Sequence, residues 1–135
     1  MSRRVTNWGA YPNFIETEFI CRCGRCDEAF VSETFLDMLQ HARTISGIPF
    51  RVMSGCRCVS HNSTVSRSLS GDHVASGVML CFGADIACTD ETRELIVAAC
   101  REAGMNRFGR SKNFVHVGIG KRLGGRNADD VEWEY

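Results

Sequence analysis

The chain has 135 residues, of which 44% are hydrophobic and 24% charged, and its formal net charge is zero. This length is sufficient for one domain with a real core, and the composition is typical of a folded globular protein. Zero net charge argues against a protein held to nucleic acid by phosphate neutralisation. No apolar run approaches the roughly 20 residues of a membrane helix. We therefore expect one domain over 1–135, a monomer, with neither nucleic acid nor membrane as a partner.

The first predicted helix follows an extended lead-in over residues 1–18. Ser32 is a good N-cap. Phe35 and Leu39 recur at helical spacing on one apolar face, and Gly47 ends the helix. Alternation over 50–53 then predicts a strand.

The second half of the chain predicts further strands around a second helix. A short buried strand is expected over 84–87. The helix is capped by 89–91 and ends at Gly104. Two antiparallel strands follow over 107–109 and 114–117, and strict alternation over 131–135 predicts a closing strand.

Eight cysteines are many for a sequence whose first residues lack the apolar region of a signal peptide. Disulfides are rare in reducing compartments. Two alternatives stay open for Cys21, Cys23 and Cys26 with Cys56 and Cys58: a second, structural metal site, or thiols that form disulfides after export. The CxCxxC spacing favours a metal but fixes no fourth ligand. Cys88 and Cys100 are expected to be small buried hydrophobic residues.

Three separated residues offer the ligands of a catalytic metal. They are His73, Asp85 and His116, and together they would leave a fourth position open for water, as catalytic zinc requires. Asp85 lies in an apolar stretch, where a carboxylate is costly unless it is paired or bound to metal. By itself, His116 amid Phe and Val would favour a hydrogen-bonded core histidine, but its coincidence with His73 and Asp85 favours a ligand.

The order of these motifs resembles the peptidase M15 family, which contains zinc D-Ala-D-Ala carboxypeptidases and L-alanyl-D-glutamate endopeptidases. The resemblance covers about residues 14–120 and is strongest to murein hydrolases of the M15_3 type from phages and bacteria. It rests on Phe19 with the Cys-Arg-Cys-Gly loop, on Ser54 to Cys58 followed by His61-Asn62, and on Gly83-Ala-Asp-Ile and Phe114-Val-His-Val.

The resemblance implies an α+β fold, a small antiparallel sheet with helices packed on it, as in hedgehog and DD-peptidase domains. It implies Zn²⁺ bound by His73, Asp85 and His116, and an Arg57 that holds the substrate or polarises its carbonyl. The implied function is zinc-dependent hydrolysis of a peptide bond in a peptidoglycan stem peptide by metal-activated water. Synthesis in the cytoplasm and action on the cell wall after release, as for a phage protein, would fit.

The sequence departs from the family pattern at three places. The interval from His73 to Asp85 is longer than the usual His-x6-Asp, with the extra residues within 74–82. Asn113 stands where the family has a catalytic Asp or Glu, and an amide cannot act as a general base. Gly118 stands where the family often has Asp.

A general base must therefore come from elsewhere if the protein is an enzyme, and Asp72, Asp130 and Glu132 are the candidates. The departures leave a second hypothesis open, a catalytically inactive zinc-bearing module that binds the cell wall or has a structural role. A third hypothesis is a Cys-rich interaction protein in which Cys21, Cys23, Cys26 and Cys58 hold the metal.

Overall fold

The structure is a computed structural model and describes residues 3–65, 71–75 and 80–135. In these ranges the chain forms three α-helices and a five-stranded sheet, together with three single turns of 3-10 helix. The helices are α1 (Glu33–Ser46), α2 (Val59–Val65) and α3 (Arg93–Glu102); the strands are β1 (Val52–Ser54), β2 (Gly83–Ala87), β3 (Arg107–Arg110), β4 (Phe114–Gly118) and β5 (Val131–Glu134).

The sheet has the strand order β1-β2-β4-β3-β5 and is mixed. Four neighbouring strands pair antiparallel, whereas β5 runs parallel to β3. The predicted α+β class is confirmed, but the prediction of an antiparallel sheet is wrong. The reason is that β4 ends with Gly118 opposite Arg107, the first residue of β3, and the following loop returns the chain at this same end. Val131 therefore also pairs with Arg107, and β5 runs in the direction of β3.

The first helix has the predicted local features. The Ser32 side chain accepts a hydrogen bond from the Phe35 backbone N–H, and Gly47 ends the helix at φ 69°. Phe35 and Leu39 are fully buried. Helix α1 packs against α3, and α3 against β4, so the helical layer covers one face of the sheet.

Strand alternation separates the core from the opposite face of the sheet. Val115 and Val117 on β4 belong to the hydrophobic core, as do Ala84 and Ile86 on β2. Successive side chains of a strand point to opposite faces. The residues between these pairs are therefore directed away from the core.

Two segments lie partly outside the described ranges. Helix α2 ends at Val65, and residues 66–70 are not described. Of the longer interval over 74–82 that the sequence analysis noted, residues 76–79 are not described. Cys56 and Cys81 form a disulfide, which the cysteine spacing did not indicate. No helix within the described ranges is both long and apolar enough to cross a membrane.

Candidate metal centre

Two neighbouring strands and one turn bring the predicted ligands together. Asp85 on β2 and His116 on β4 are direct cross-strand partners, on the face of the sheet away from the core. His73 reaches them from the turn over 71–73, whose Asp72 carbonyl accepts a hydrogen bond from the Phe82 backbone just before β2. Residues far apart in the sequence thus form one buried cluster.

Three donor atoms face one another across nearly equal distances. The Nε2 atom of His73 lies 3.1 Å from Asp85 Oδ1 and 3.1 Å from His116 Nδ1, and the latter two atoms are 3.0 Å apart. Bonds of about 2.0–2.1 Å at tetrahedral angles place zinc ligands about 3.3 Å apart. The triangle is therefore close to one face of a zinc tetrahedron.

Hydrogen bonds on the far side of each ring fix the two imidazoles for metal binding. His73 Nδ1 lies 2.5 Å from the Gly55 carbonyl oxygen, and His116 Nε2 lies 2.7 Å from Asp72 Oδ2. Each outer nitrogen can donate to its acceptor, which leaves the lone pair of the inner nitrogen directed at the cluster. Such outer partners orient metal-binding histidines, so the residues present fit a zinc ion.

Asp72 is the centre of a network behind the ligands. It is 3% exposed, and it accepts hydrogen bonds from His116, from Arg107 Nε at 2.9 Å and from Asn127 Nδ2 at 2.8 Å. Although burial opposes ionisation, the His116 hydrogen bond and the other two donors hold the pKa of Asp72 well below its usual range. Asp72 is thus a permanent anion that orients His116.

Two glycines make room for this carboxylate. A Cβ atom at Gly118 would lie 2.7 Å from Asp72 Oδ2, and one at Gly83 would lie 2.8 Å from Asp72 Cβ and 2.9 Å from the His116 ring. Both distances are too short for any other residue without displacement. Gly118, a departure from the family pattern, is therefore the position over which Asp72 reaches His116.

The three donors carry one proton beyond those of two neutral imidazoles and an ionised carboxylate, and this proton lies on His116. Burial lowers the pKa of His73, so its imidazole is neutral. Burial also disfavours the charged form of His116, but hydrogen bonds to Asp72 and Asp85 prevail and raise the pKa of His116 to about 9. Asp85 is ionised, since its hydrogen bonds to the two histidines outweigh burial and lower its pKa. A metal ion must displace the proton of His116 to bind.

A polar cleft of about 210 Å³ opens beside the cluster. Its lining combines the cluster histidines with two arginines and two aromatic residues; the residues are Arg57, Gly71, Asp72, His73, Arg107, His116, Asn127, Trp133 and Tyr135. The Trp133 ring lies 5.3 Å from the His116 ring, and the Arg107 guanidinium lies over Trp133 at 5.3 Å.

Arg57 is held beside the cluster by its backbone. Its N–H donates to the His73 carbonyl at 2.6 Å, and its carbonyl accepts from Ala75 N–H at 2.8 Å. The buried Nε atom of Arg57 has no hydrogen-bond partner within the described ranges. A buried donor of this kind is costly unless it is satisfied, so the guanidinium is available to a ligand in the cleft.

The three base candidates occupy different environments. Asp72 lies at the cluster, with its oxygens already accepting hydrogen bonds from three residues. Asp130 instead pairs with Arg122 at 2.9 Å on the surface. Glu132 pairs with Arg101 and Arg110 at 2.6 and 2.7 Å. Asn113 is exposed and lies in a separate groove beside Arg51 and Cys88.

Sequence reasoning did not identify Arg107, Asn127 or Trp133 as parts of the site. Asn127 lies at the end of a Gly- and Arg-rich stretch over 118–127. This composition indicates a loop but not which residues the loop contacts. Trp133 lies on the predicted closing strand, but only the pairing of β5 with β3 brings it to the cleft. Arg107 offered no signal in the sequence.

The four cysteines of the open alternative also lie together. The sulfur atoms of Cys21, Cys23, Cys26 and Cys58 are all within 4.8 Å of one another, whereas Cys56 is bonded to Cys81. Cys100 is fully buried, as predicted for a small hydrophobic residue, and Cys88 is partly exposed.

An α+β domain with two histidines and one carboxylate beside a polar cleft has the ligand set of a catalytic metal site. The sequence profile of the peptidase M15 family matches residues 12–118, which is more than three quarters of the chain. The chain therefore belongs to the peptidase M15 family and is a metallopeptidase by family; these peptidases are metal-dependent and generally use zinc. A search of curated proteins finds no match.

Proposed function

We propose that this protein hydrolyses a peptide bond in a peptidoglycan stem peptide, with zinc held by His73, Asp85 and His116. The convergence of these three donors beside a polar cleft is the observation that supports the proposal most directly. Membership of the M15 family supports the substrate class, since its peptidases act on peptidoglycan peptides.

The residues around the cluster prepare it for this chemistry. A zinc ion in such a site lowers the pKa of bound water and polarises a carbonyl. Asp72 and the Gly55 carbonyl keep the two imidazoles in the tautomer and orientation that ligation requires. Asp85 adds a carboxylate that stays ionised at neutral pH. The cluster is buried on one side and faces the cleft on the other, which restricts access of water.

Arg57 is proposed to bind the substrate. Its planar guanidinium can donate two parallel hydrogen bonds to a carboxylate, or stabilise a developing oxyanion. Its Nε atom, which has no hydrogen-bond partner among the described residues, would gain one when substrate binds. The stem peptide supplies carboxylates as well as amide carbonyls, so the chemistry of the cleft and of the substrate agree.

The arrangement of carboxylates supports a second candidate, an inactive zinc-bearing module that binds the cell wall. Asn113 cannot take up a proton. Among the described residues that line the cleft, the carboxylate side chain belongs to Asp72. Its low pKa and its three hydrogen-bond donors suit it to holding His116 rather than to taking up a proton. A protein that keeps the ligands but lacks a proton acceptor would bind wall peptide without turnover.

The test is zinc content together with hydrolysis of purified murein, measured for the wild type and for Asp85→Ala. We expect about one zinc per chain to be lost with the substitution, and activity to fall by more than about 10³-fold, because both the Lewis acid and the activated water depend on the metal. Asp90→Ala is the matched control, since Asp90 is an exposed carboxylate paired with Arg93.

Three other outcomes have distinct meanings. Zinc that is lost in Asp85→Ala from a wild type without hydrolytic activity would support the non-catalytic module. Zinc content unchanged by Asp85→Ala would refute the proposed ligand set. Equal losses in Asp90→Ala would show that the substitution acts through folding.

A further inference from the structure

We propose that Cys21, Cys23, Cys26 and Cys58 bind a second zinc ion, a structural one, that attaches the cysteine loop to the segment carrying Arg57. The cluster stands apart from the histidine site, and the hydrolytic mechanism does not use it. Four cysteines without another ligand type form the closed donor set of structural zinc.

The spacing of the sulfur atoms matches this geometry. Cys21 Sγ and Cys58 Sγ are 3.8 Å apart, and Cys23 Sγ and Cys26 Sγ are 3.5 Å apart. Zinc–sulfur bonds of about 2.3 Å at tetrahedral angles place sulfurs about 3.8 Å apart, whereas a disulfide requires about 2.0 Å. Since all four sulfurs lie within 4.8 Å of one another, they surround one point rather than forming two separate pairs.

Backbone N–H groups are directed at the sulfurs. Arg25 N–H donates to Cys23 Sγ, Cys58 N–H to Cys21 Sγ and His61 N–H to Cys58 Sγ, each at 3.3 Å. The first of these bonds requires a tight turn, which Gly24 makes with φ 81°. Donors around a ligand orient it and stabilise its negative charge.

The charge of the loop suits a site of four thiolates. Zinc with four thiolates carries two net negative charges, and the loop contains Arg22 and Arg25 within the same six residues. Soft thiolate ligands in tetrahedral arrangement select zinc over magnesium or calcium.

The position of Cys58 gives the site its role. Cys58 directly follows Arg57, and its carbonyl accepts the first backbone hydrogen bond of α2 from Asn62. The residue on the other side of Arg57 is also held in place. The N–H of Cys56 donates to the carbonyl of Phe19, which lies next to the cysteine loop. A metal shared by the loop and Cys58 would hold Arg57 at the cleft.

Metal stoichiometry of the full-length protein, produced with zinc supplied, tests the inference. We expect about two zinc per chain in the wild type, about one in Cys23→Ser, about one in Asp85→Ala, and about two in the control Cys88→Ser. Cys88 is a partly exposed cysteine outside the cluster. One zinc in the wild type that Asp85→Ala alone removes would overturn the inference.

Two measurements do not depend on the folding of a cysteine variant. Cobalt bound to Asp85→Ala should show an intense sulfur-to-cobalt charge-transfer absorption, and its absence would overturn the inference.

Alkylation of the wild type in denaturant with chelator and without reductant should modify six cysteines, all but Cys56 and Cys81. Modification of only two would show that the cluster holds disulfides instead. Two zinc without murein hydrolysis would leave this inference standing while refuting the proposed activity.

Discussion

The two clusters of this molecule offer metal ligands in opposite settings. His73, Asp85 and His116 are presented mainly by paired strands, supported by the buried carboxylate of Asp72, and they face a polar cleft. The cysteine cluster is built on loops and receives its support from backbone N–H groups. A set of three protein donors leaves a coordination position for chemistry, whereas a set of four closes the coordination of a structural metal.

The histidine cluster depends on buried charge, and the largest expected effect is therefore that of pH on its zinc affinity. A metal ion at the histidine cluster competes with the proton of His116, whose pKa in the metal-free protein is about 9. Below that pH, each increase of one pH unit lowers the ratio of protonated to neutral His116 about tenfold. We therefore expect zinc affinity at this site to rise about 100-fold from pH 6 to pH 8.

Chelator competition on protein whose cysteine cluster is already loaded measures this affinity. Isothermal titration in buffers of different ionisation enthalpy should detect about one proton released per zinc near neutral pH. An affinity that stays constant between pH 6 and pH 8 would contradict the assignment of the proton to His116.

The next largest effect is expected from Asp72→Asn. The amide oxygen can still accept from His116, but the charge that pairs with Arg107 is lost. Removal of an outer partner of a metal-binding histidine typically lowers metal affinity about 10–100-fold. The hydrolytic rate at saturating zinc should fall less than the affinity, because Asp72 acts through the ligand. Competition titration measures the affinity, with Asp130→Asn as an exposed carboxylate control.

A different outcome would identify another role for Asp72. If Asp72→Asn abolished hydrolysis while zinc affinity stayed unchanged, the carboxylate would be the general base rather than a positioning residue. The measured split between affinity and rate thus decides between the two roles.

A smaller effect is expected from Arg57→Lys. Lysine keeps the charge but lacks the planar pair of donors. We therefore expect kcat/KM to fall about tenfold, mainly through an increase in KM. This fall corresponds to ~1.4 kcal/mol, close to the lower end of the range for hydrogen bonds to charged groups. Zinc content should stay unchanged. Steady-state kinetics on a soluble stem peptide measures the effect, with Arg122→Lys as a surface control. Loss of zinc in Arg57→Lys would show that the residue supports the cluster itself.

The parts of the fold that are determined by residues close together in the sequence could be predicted. The bounds of α1 follow from the Ser32 cap, one apolar face and Gly47, all within 16 residues. The sequence predicts a cap over 89–91 for the second helix, but α3 begins at Arg93 because Thr89 and Thr92 hydrogen-bond to each other in the preceding turn. Local signals locate an element but define its first residue less well.

The distant contacts could not be predicted in the same way. Asp72 meets Arg107 and Asn127 across 35 and 55 residues of chain, and no pattern in the sequence relates them. Eight cysteines permit about 105 complete pairings, so the Cys56–Cys81 disulfide was equally hidden. His73, Asp85 and His116 could be predicted as ligands despite their separation, because their chemistry is specific and the family resemblance gave their order; the structure places them together.

The smallest effect is expected from Glu132→Gln, and it tests whether the proposed hydrolysis depends on the cleft alone. Glu132 lies on β5 one residue before Trp133, but alternation along the strand directs it to the opposite side, where it pairs with Arg101 and Arg110. Its side chain is 44% exposed, and exposed ion pairs contribute only about 0.2–1 kcal/mol to stability. We expect thermal unfolding to shift slightly, with zinc content unchanged and murein hydrolysis within about twofold of the wild type. The exchange of carboxylate for amide removes basicity with little change in shape. A large loss of activity with intact zinc would therefore make Glu132 the proton acceptor. It would also require β5 to present its other face to the substrate.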